Sequence, residues 1–206
     1  MKKIICIFFV FTFVSMSFDF KTTQQSKLMV DKIPTSVEEF ITLRDKIATT
    51  PEGGAVAFVV ATIMYSNNPQ IGRQAIIIQS DRKLLSECGP DKGYKGFDLG
   101  SSSDFLVRQL DQKKYIPYSY VMGTSNANGY ALGNPPYNFQ VSTNASSKGA
   151  DGTMKVFIAS TGADSPRPIT LRQNDKGIWK AAEYSSIFSG VRPPVQKSKG
   201  DAGGDF

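Results

Sequence analysis

Apolar positions change their spacing partway along this chain. Up to about residue 110 they form continuous runs or recur at helical spacing; beyond it they alternate with polar residues, as strands require. The first run, Ile4 to Val14, is interrupted only by Thr12, and a polar stretch without periodicity follows over residues 18–32, which reads as a flexible leader. Ser36-Val37-Glu38-Glu39 then has the form of a capping box: the Ser36 hydroxyl accepts from the Glu39 amide, and the Glu39 carboxylate returns to the Ser36 amide. Val37, Phe40, Ile41, Ile47 and Ala48 share one stripe of the helix so begun, which Thr49-Thr50-Pro51 ends. Gly53-Gly54 opens a segment, Ala55 to Tyr65, that is apolar at almost every position and is expected to be a helix buried all round, although its Val and Phe residues also suit a strand. Asn67-Asn68-Pro69 breaks it, and Pro69 starts a third helix running to about Leu85, which gives a helical hairpin. A glycine-rich connector, Cys88 to Gly100, is anchored by Tyr94 and Phe97. Ser101-Ser102-Ser103-Asp104 then caps a short helix carrying Phe105, Leu106 and Leu110.

From Tyr115 onward the pattern predicts strands at Tyr118 to Met122, Tyr137 to Thr143, Met154 to Ser160, Pro168 to Gln173 and Ile178 to Tyr184. Asn174-Asp175-Lys176-Gly177 is a tight hairpin turn whose glycine supplies positive φ. The expected fold class is α+β, with N-terminal helices packed on one face of a C-terminal antiparallel meander. By analogy of fold alone, this arrangement brings to mind the nuclear-transport-factor-like cone. Gly190 to Phe206 is rich in proline, lysine and glycine and reads as disordered, with a single domain spanning 33–194 and a free tail over 195–206.

Composition adds a destination. Lys2 and Lys3 precede the first apolar run, and Ser15-Met16-Ser17 places small residues where a signal peptidase reads them, so residues 1–17 have the layout of a secretory signal peptide. The run is shorter than the roughly 20 residues that span a bilayer, so no integral membrane segment is expected in the mature chain. The protein is therefore expected to be exported, periplasmic or extracellular. The formal charge is +6, and two of those charges leave with the signal. No dense basic cluster with interleaved aromatics is present, which argues against a nucleic-acid partner.

Cysteine and histidine narrow the chemistry further. Of the two cysteines, Cys6 lies in the signal, so no disulfide within the mature chain is available, and Cys88 is either a reactive lone thiol or a small hydrophobe in a turn. The absence of histidine removes Ser-His-Asp and Cys-His catalysis and any His-ligated metal site, and neither a metal nor a cofactor is implied.

Two stretches could hold a ligand. In Thr161-Gly162-Ala163-Asp164-Ser165-Pro166-Arg167-Pro168, two prolines hold Arg167 stiffly beside Asp164, and a fixed guanidinium receives carboxylate or phosphate; alternatively Asp164 and Arg167 satisfy one another in a rigid connection. In residues 124–137, Tyr130 and Tyr137 with neighbouring Asn and Gly suit glycan or peptide recognition, and are also ordinary turn formers. Trp179, the only tryptophan, completes the candidate ligand set of Asp164, Arg167, Trp179, Tyr130 and Tyr137. Asn144-Ala145-Ser146 matches a glycosylation sequon. No carboxylate pair earns a catalytic role by spacing, and the catalytic residues, if any, stay unassigned.

The segments Gly-Ala-Asp-Ser-Pro-Arg-Pro-Ile-Thr-Leu-Arg (162–172), Gly-Ile-Trp-Lys (177–180), Glu-Tyr-Ser-Ser (183–186) and Gly-Val-Arg-Pro-Pro (190–194) resemble an uncharacterised bacterial domain family. Gly-Tyr-Lys-Gly (93–96) and Asn-Pro-Pro-Tyr (134–137) carry the resemblance further, over roughly Ser36 to Pro194. It implies a single domain and assigns no activity. The expected role is a non-catalytic binding or interaction domain for a small molecule, glycan or envelope protein. The alternatives are a histidine-free hydrolase or isomerase using Asp164, Arg167 and Glu183, and a structural envelope protein assembling through sheet edges.

Overall fold

A computed structural model describes residues 23–196. The proposed signal peptide, the start of the leader and the residues after 196 lie outside the described residues. The fold is built around one helix. Its elements are β1 (Gln24–Val30), α1 (Val37–Ile47), α2 (Pro51–Asn67), α3 (Pro69–Gln79), β2 (Leu85–Glu87), β3 (Phe97–Leu99), α4 (Ser101–Gln112), β4 (Tyr137–Thr143), β5 (Met154–Ile158), β6 (Arg167–Gln173) and β7 (Trp179–Glu183). The five-stranded sheet has the order β1-β4-β5-β6-β7 with every pairing antiparallel, so the C-terminal meander is as expected and the class is α+β. Its inward positions, Phe139, Val141, Val156, Ile158, Ile169, Leu171 and Ala181, are fully buried and alternate with more exposed residues.

These side chains rest on α2. Every residue from Gly53 to Ser66 is buried, as an apolar pattern on all sides of a helix demands. Thr50 caps it by accepting from the Gly53 amide at 3.1 Å, and Pro51 occupies its first position. Two glycines let neighbours reach its backbone. A Cβ on Gly54 would stand 2.8 Å from Trp179 Cβ, and one on Gly72 of α3 would collide with the Tyr65 backbone of α2. Gln79 ties the layers together, its Nε2 donating to Gly54 O and Trp179 O, each at 2.9 Å.

Several expectations need correction. Residues 24–30 are not a flexible leader but the edge strand β1, with Leu28 opposite Phe139 and Val30 opposite Tyr137. Its first four residues are polar and exposed, Met29 is apolar yet 61% exposed, and only its last residue is fully buried, so alternation was too weak to announce it. Tyr118 to Met122 is not a strand: Pro117 starts a short 3-10 turn, Pro117–Tyr120, in which the Ser119 hydroxyl donates to Ile116 O at 2.7 Å. The third helix stops at Gln79 instead of Leu85, because Ser80 and Asp81 turn extended to flank β7, with the Asp81 amide donating to Ala181 O at 2.8 Å. The capping box keeps one arm only. Ser36 Oγ accepts from Glu39 N at 3.2 Å, while the Glu39 carboxylate accepts from Thr35 N at 2.8 Å and pairs with Lys32.

Gly100, not a serine, is the N-cap of α4, and Asp104 instead takes Arg73 at 2.6 Å and Arg108 at 2.7 Å. Residues 190–195 are docked, not free: Arg192 N donates to Gly162 O and Val195 N to Asn126 O, both at 2.9 Å. Among the described residues no helix is long and apolar enough to cross a membrane.

Candidate functional site

The outer edge of β7 is where helices and sheet fail to close. Trp179 N donates to Ala48 O at 2.8 Å, and Ser80 bridges Ala181, so the strand's hydrogen bonds are taken by the helical layer. Beyond this seam lies a groove of about 600 Å³. Its floor is apolar: Ile41 from α1, Ile77 and Ile78 from the end of α3, and Leu85 from β2. Tyr94 and Phe97, the two aromatics of the glycine-rich connector, form one wall. Gly93 and Gly96 take positive φ there, and so does Lys95, which lets the connector fold tightly enough to present both rings.

The polar lining is mostly cationic, with Arg44, Arg82, Lys95, Arg172 and Lys180 against the single carboxylate of Asp81. These cations differ in how far they are engaged. Arg172 is held by Asp81 at 3.2 Å and Asp151 at 2.9 Å, and the hydrogen bonds to Asp151 and then Asp81 raise its pKa. Arg82 pairs with Glu87 at 3.2 Å and covers the Phe97 ring at 4.1 Å. Arg44 is nearly buried, at 14% side-chain exposure. Its Nε has no acceptor in hydrogen-bonding geometry, even though the Asp45 carboxylate lies 2.7 Å away. Among the described residues, Lys95 and Lys180 have no carboxylate within ion-pair distance. Lys180 Nζ donates to Ile78 O, one of the carbonyls that the last turn of α3 leaves without a helical partner. Burial, and then the Arg44 charge, lower its pKa to about 8.

The sequence-derived candidates lie elsewhere. Asp164 is 83% exposed and pairs with Arg192; Arg167 Nη2 donates to Gly190 O at 3.1 Å; and Tyr130 OH donates to Arg192 O at 2.6 Å while its ring stacks on Tyr115. These three converge on the segment 190–195 and clamp it to the body. A Cβ on Gly162 would sit 2.9 Å from both Tyr130 Cζ and Val191 Cγ1, so the clamp is tight. Asp164 and Arg167 each have a partner other than the other. Trp179 packs at the seam with α2, its side chain outside the groove that the next residue lines, and Tyr137 stands opposite Val30 at the start of β4. Glu183 is exposed and accepts from the Ser185 amide at 2.8 Å, so it shares no pocket with Asp164. Cys88 is half-buried, with its thiol on Lys92 O at 3.1 Å. Asn144 accepts from the Ser146 amide at 2.9 Å in the turn after β4.

Arg44, Ile41 and Asp81 were missed because they look like ordinary helix-face and capping residues in sequence. Lys180 gave the one available signal, a charge inside the apolar run Ile178 to Ala182. Among the described residues no cluster of three or more His, Cys, Asp or Glu side chains could hold a metal ion.

The family model described as Domain of unknown function (DUF6935) matches residues 32–195. No curated protein and no solved structure matches the chain.

Proposed function

We propose, for a chain that belongs to the DUF6935 domain family, the role of an exported binding domain whose groove takes an organic anion with an apolar body. The observation that carries this reading is the pairing of an apolar floor with a cationic lining in which, among the described residues, Lys95 and Lys180 have no carboxylate partner, while Arg44 keeps Asp45 at 2.7 Å. An alkyl or aryl part of a ligand covers Ile41, Ile77 and Leu85, while its carboxylate or similar group meets the cationic lining formed by Arg44, Lys95 and Lys180. Concave, mainly apolar sites with a few fixed polar groups are the usual form of small-molecule pockets. Export rests on the layout of residues 1–17, and a binding role also agrees with the absence of histidine.

Titration calorimetry with benzoates and medium-chain alkanoates, each compared with its matched alcohol and amine, tests the reading. Carboxylates should bind more tightly than the alcohols, and Arg44→Gln should remove most of that advantage. A charge-assisted hydrogen bond contributes about 1.5–3 kcal/mol, so the loss should be at least about tenfold in affinity. Equal affinity for acid, alcohol and amine, or no heat from any of them at millimolar concentration, would refute it.

A further inference from the structure

The groove holds a nucleophile as well as a receptor. Lys180 sits on β7 with its neighbours facing it from four directions: Arg44 and Asp45 on α1, Asp81 after α3, Arg172 on β6, and Lys176 in the turn before β7. Among the described residues none of these carboxylates reaches it as an ion pair: Asp81 is taken by Arg172, and Asp45 lies against Arg44. Its one hydrogen bond goes to a backbone carbonyl, Ile78 O. A neutral amine in that position donates one hydrogen to the carbonyl and keeps its lone pair free. Lys180 is half-buried, and an ammonium held partly out of water without a counter-ion is disfavoured relative to the neutral amine.

We propose that Lys180 is a carbonyl-capturing amine, condensing with the aldehyde or oxo group of an organic anion seated in the groove. The inference rests on the anion-binding reading and adds to it the chemical class of the ligand, an oxo-acid or carboxylated aldehyde. In the step, the nitrogen lone pair of neutral Lys180 adds to the carbonyl carbon, and one amine proton passes through solvent to the carbonyl oxygen. In the resulting carbinolamine the second amine proton passes through solvent to the hydroxyl, the C–O bond breaks to release water, and the nitrogen lone pair forms the C=N bond to Nζ. No oxidant or reductant takes part, and added water reverses the step. Arg44 serves twice, receiving the ligand's carboxylate and disfavouring the charged form of the amine beside it. Lysines activated by desolvation and a cationic neighbour are an established route to such adducts.

The test uses the full chain with para-carboxybenzaldehyde as probe, cyanoborohydride as the trapping reductant, and para-carboxybenzyl alcohol as a non-condensing analogue. Peptide mapping should show a carboxybenzyl group on Lys180 that the alcohol suppresses, whereas label on the α-amino group, whose pKa is also about 8, should be unaffected by the alcohol. A lysine of ordinary pKa is less than about 1% neutral at pH 8, so Lys180 should be labelled at least about tenfold faster than exposed lysines. The labelling rate should be half-maximal near pH 8. Lys180→Arg, which keeps the charge and a donor for Ile78 O, should abolish this label while circular dichroism stays unchanged. Arg44→Gln should move the pH midpoint upward. Label spread evenly over exposed lysines, or a midpoint near that of ordinary lysine, would overturn the proposal. Calorimetric binding of the alcohol without labelling of Lys180 would overturn it while leaving the anion-binding reading in place. Absence of binding by either compound would overturn both.

Discussion

Replacing Gly72 by alanine sets two effects of opposite sign against each other. Removing a glycine from a helix interior favours the helix by about 1 kcal/mol. At this position, however, α3 crosses α2 with nothing between the backbones: the new Cβ would fall inside the Tyr65 N and Cα atoms and 2.5 Å from Met64 C. Carbon atoms pack at about 3.5–4.0 Å, so α3 must retreat by about 1 Å or more. No rotamer change relieves a backbone obstacle, which puts the overpacking cost at the upper end of its usual range, about 3 kcal/mol. The retreat also loosens the contacts of Ala75, Ile76, Ile77 and Ile78, all buried against the core. The net expectation is a loss of about 2 kcal/mol, or a Tm lower by about 4–8 °C for a chain of this length. Urea unfolding followed by Trp179 fluorescence and by far-ultraviolet circular dichroism measures it, since the only tryptophan lies against Gly54 of α2. Gly89→Ala is the control: its Cβ would meet nothing within 4 Å, and the change should stay within about 0.5 kcal/mol. A Gly72→Ala variant as stable as the natural chain, or more so, would show that helix propensity decides the sign and that the crossing is not tight.

Three further outcomes follow from named contacts. Tyr130→Phe removes the donor to Arg192 O and should cost about 1–2 kcal/mol, with faster proteolytic cutting within residues 190–195 as a local readout. Glu39 and Asp151 have pKa values lowered to about 2, Glu39 chiefly by the Lys32 hydrogen bond and Asp151 chiefly by that of Thr153. Because the folded values lie below the unfolded ones, their stabilisation is present above about pH 4.5 and is lost as pH falls towards 2, so Glu39→Gln should flatten the acid-denaturation profile over that window. Lys180, whose pKa is also lowered, has a linkage of the same sign at higher pH: the unfolded chain holds its proton between pH 8 and 10.5 while the folded chain releases it, so stability should rise from pH 8 upward. Above pH 10 the raised pKa of buried Tyr65 opposes the gain, and Lys180→Met should remove the rise below that point in thermal melts.

How much of this could be read from the chain depends on whether the information was local. α2 was legible because a run that is apolar on every side has few places to go except the centre of a fold. The meander was legible because each strand carries its own alternation and the Asn174–Gly177 turn its own chemistry, with Gly177 at φ 76°. β1 was not, since Gln24 to Lys27 are polar and exposed, and the ladder bonds to β4 that hold them leave no trace in those side chains. The turn at Pro117–Tyr120 was misread for the related reason that Tyr118 and Tyr120 are good strand formers held in place by tertiary contacts: Tyr120 OH donates to Ile187 O at 2.7 Å. The site follows the same rule. Asp164, Arg167 and Tyr130 stand out locally because a clamp on residues 190–195 needs stiff, specific residues, and that individuality belongs to structure. The groove is assembled from Arg44, Tyr94, Phe97 and Lys180, each ordinary in its own segment, which meet only because α1, the connector and β7 converge at the seam of the two layers. A lysine in an apolar strand was the one mark it left. The physical reason is that an edge strand draws such a residue partly out of water only where a neighbouring element supplies an acceptor, and here that element is the C-terminal end of α3.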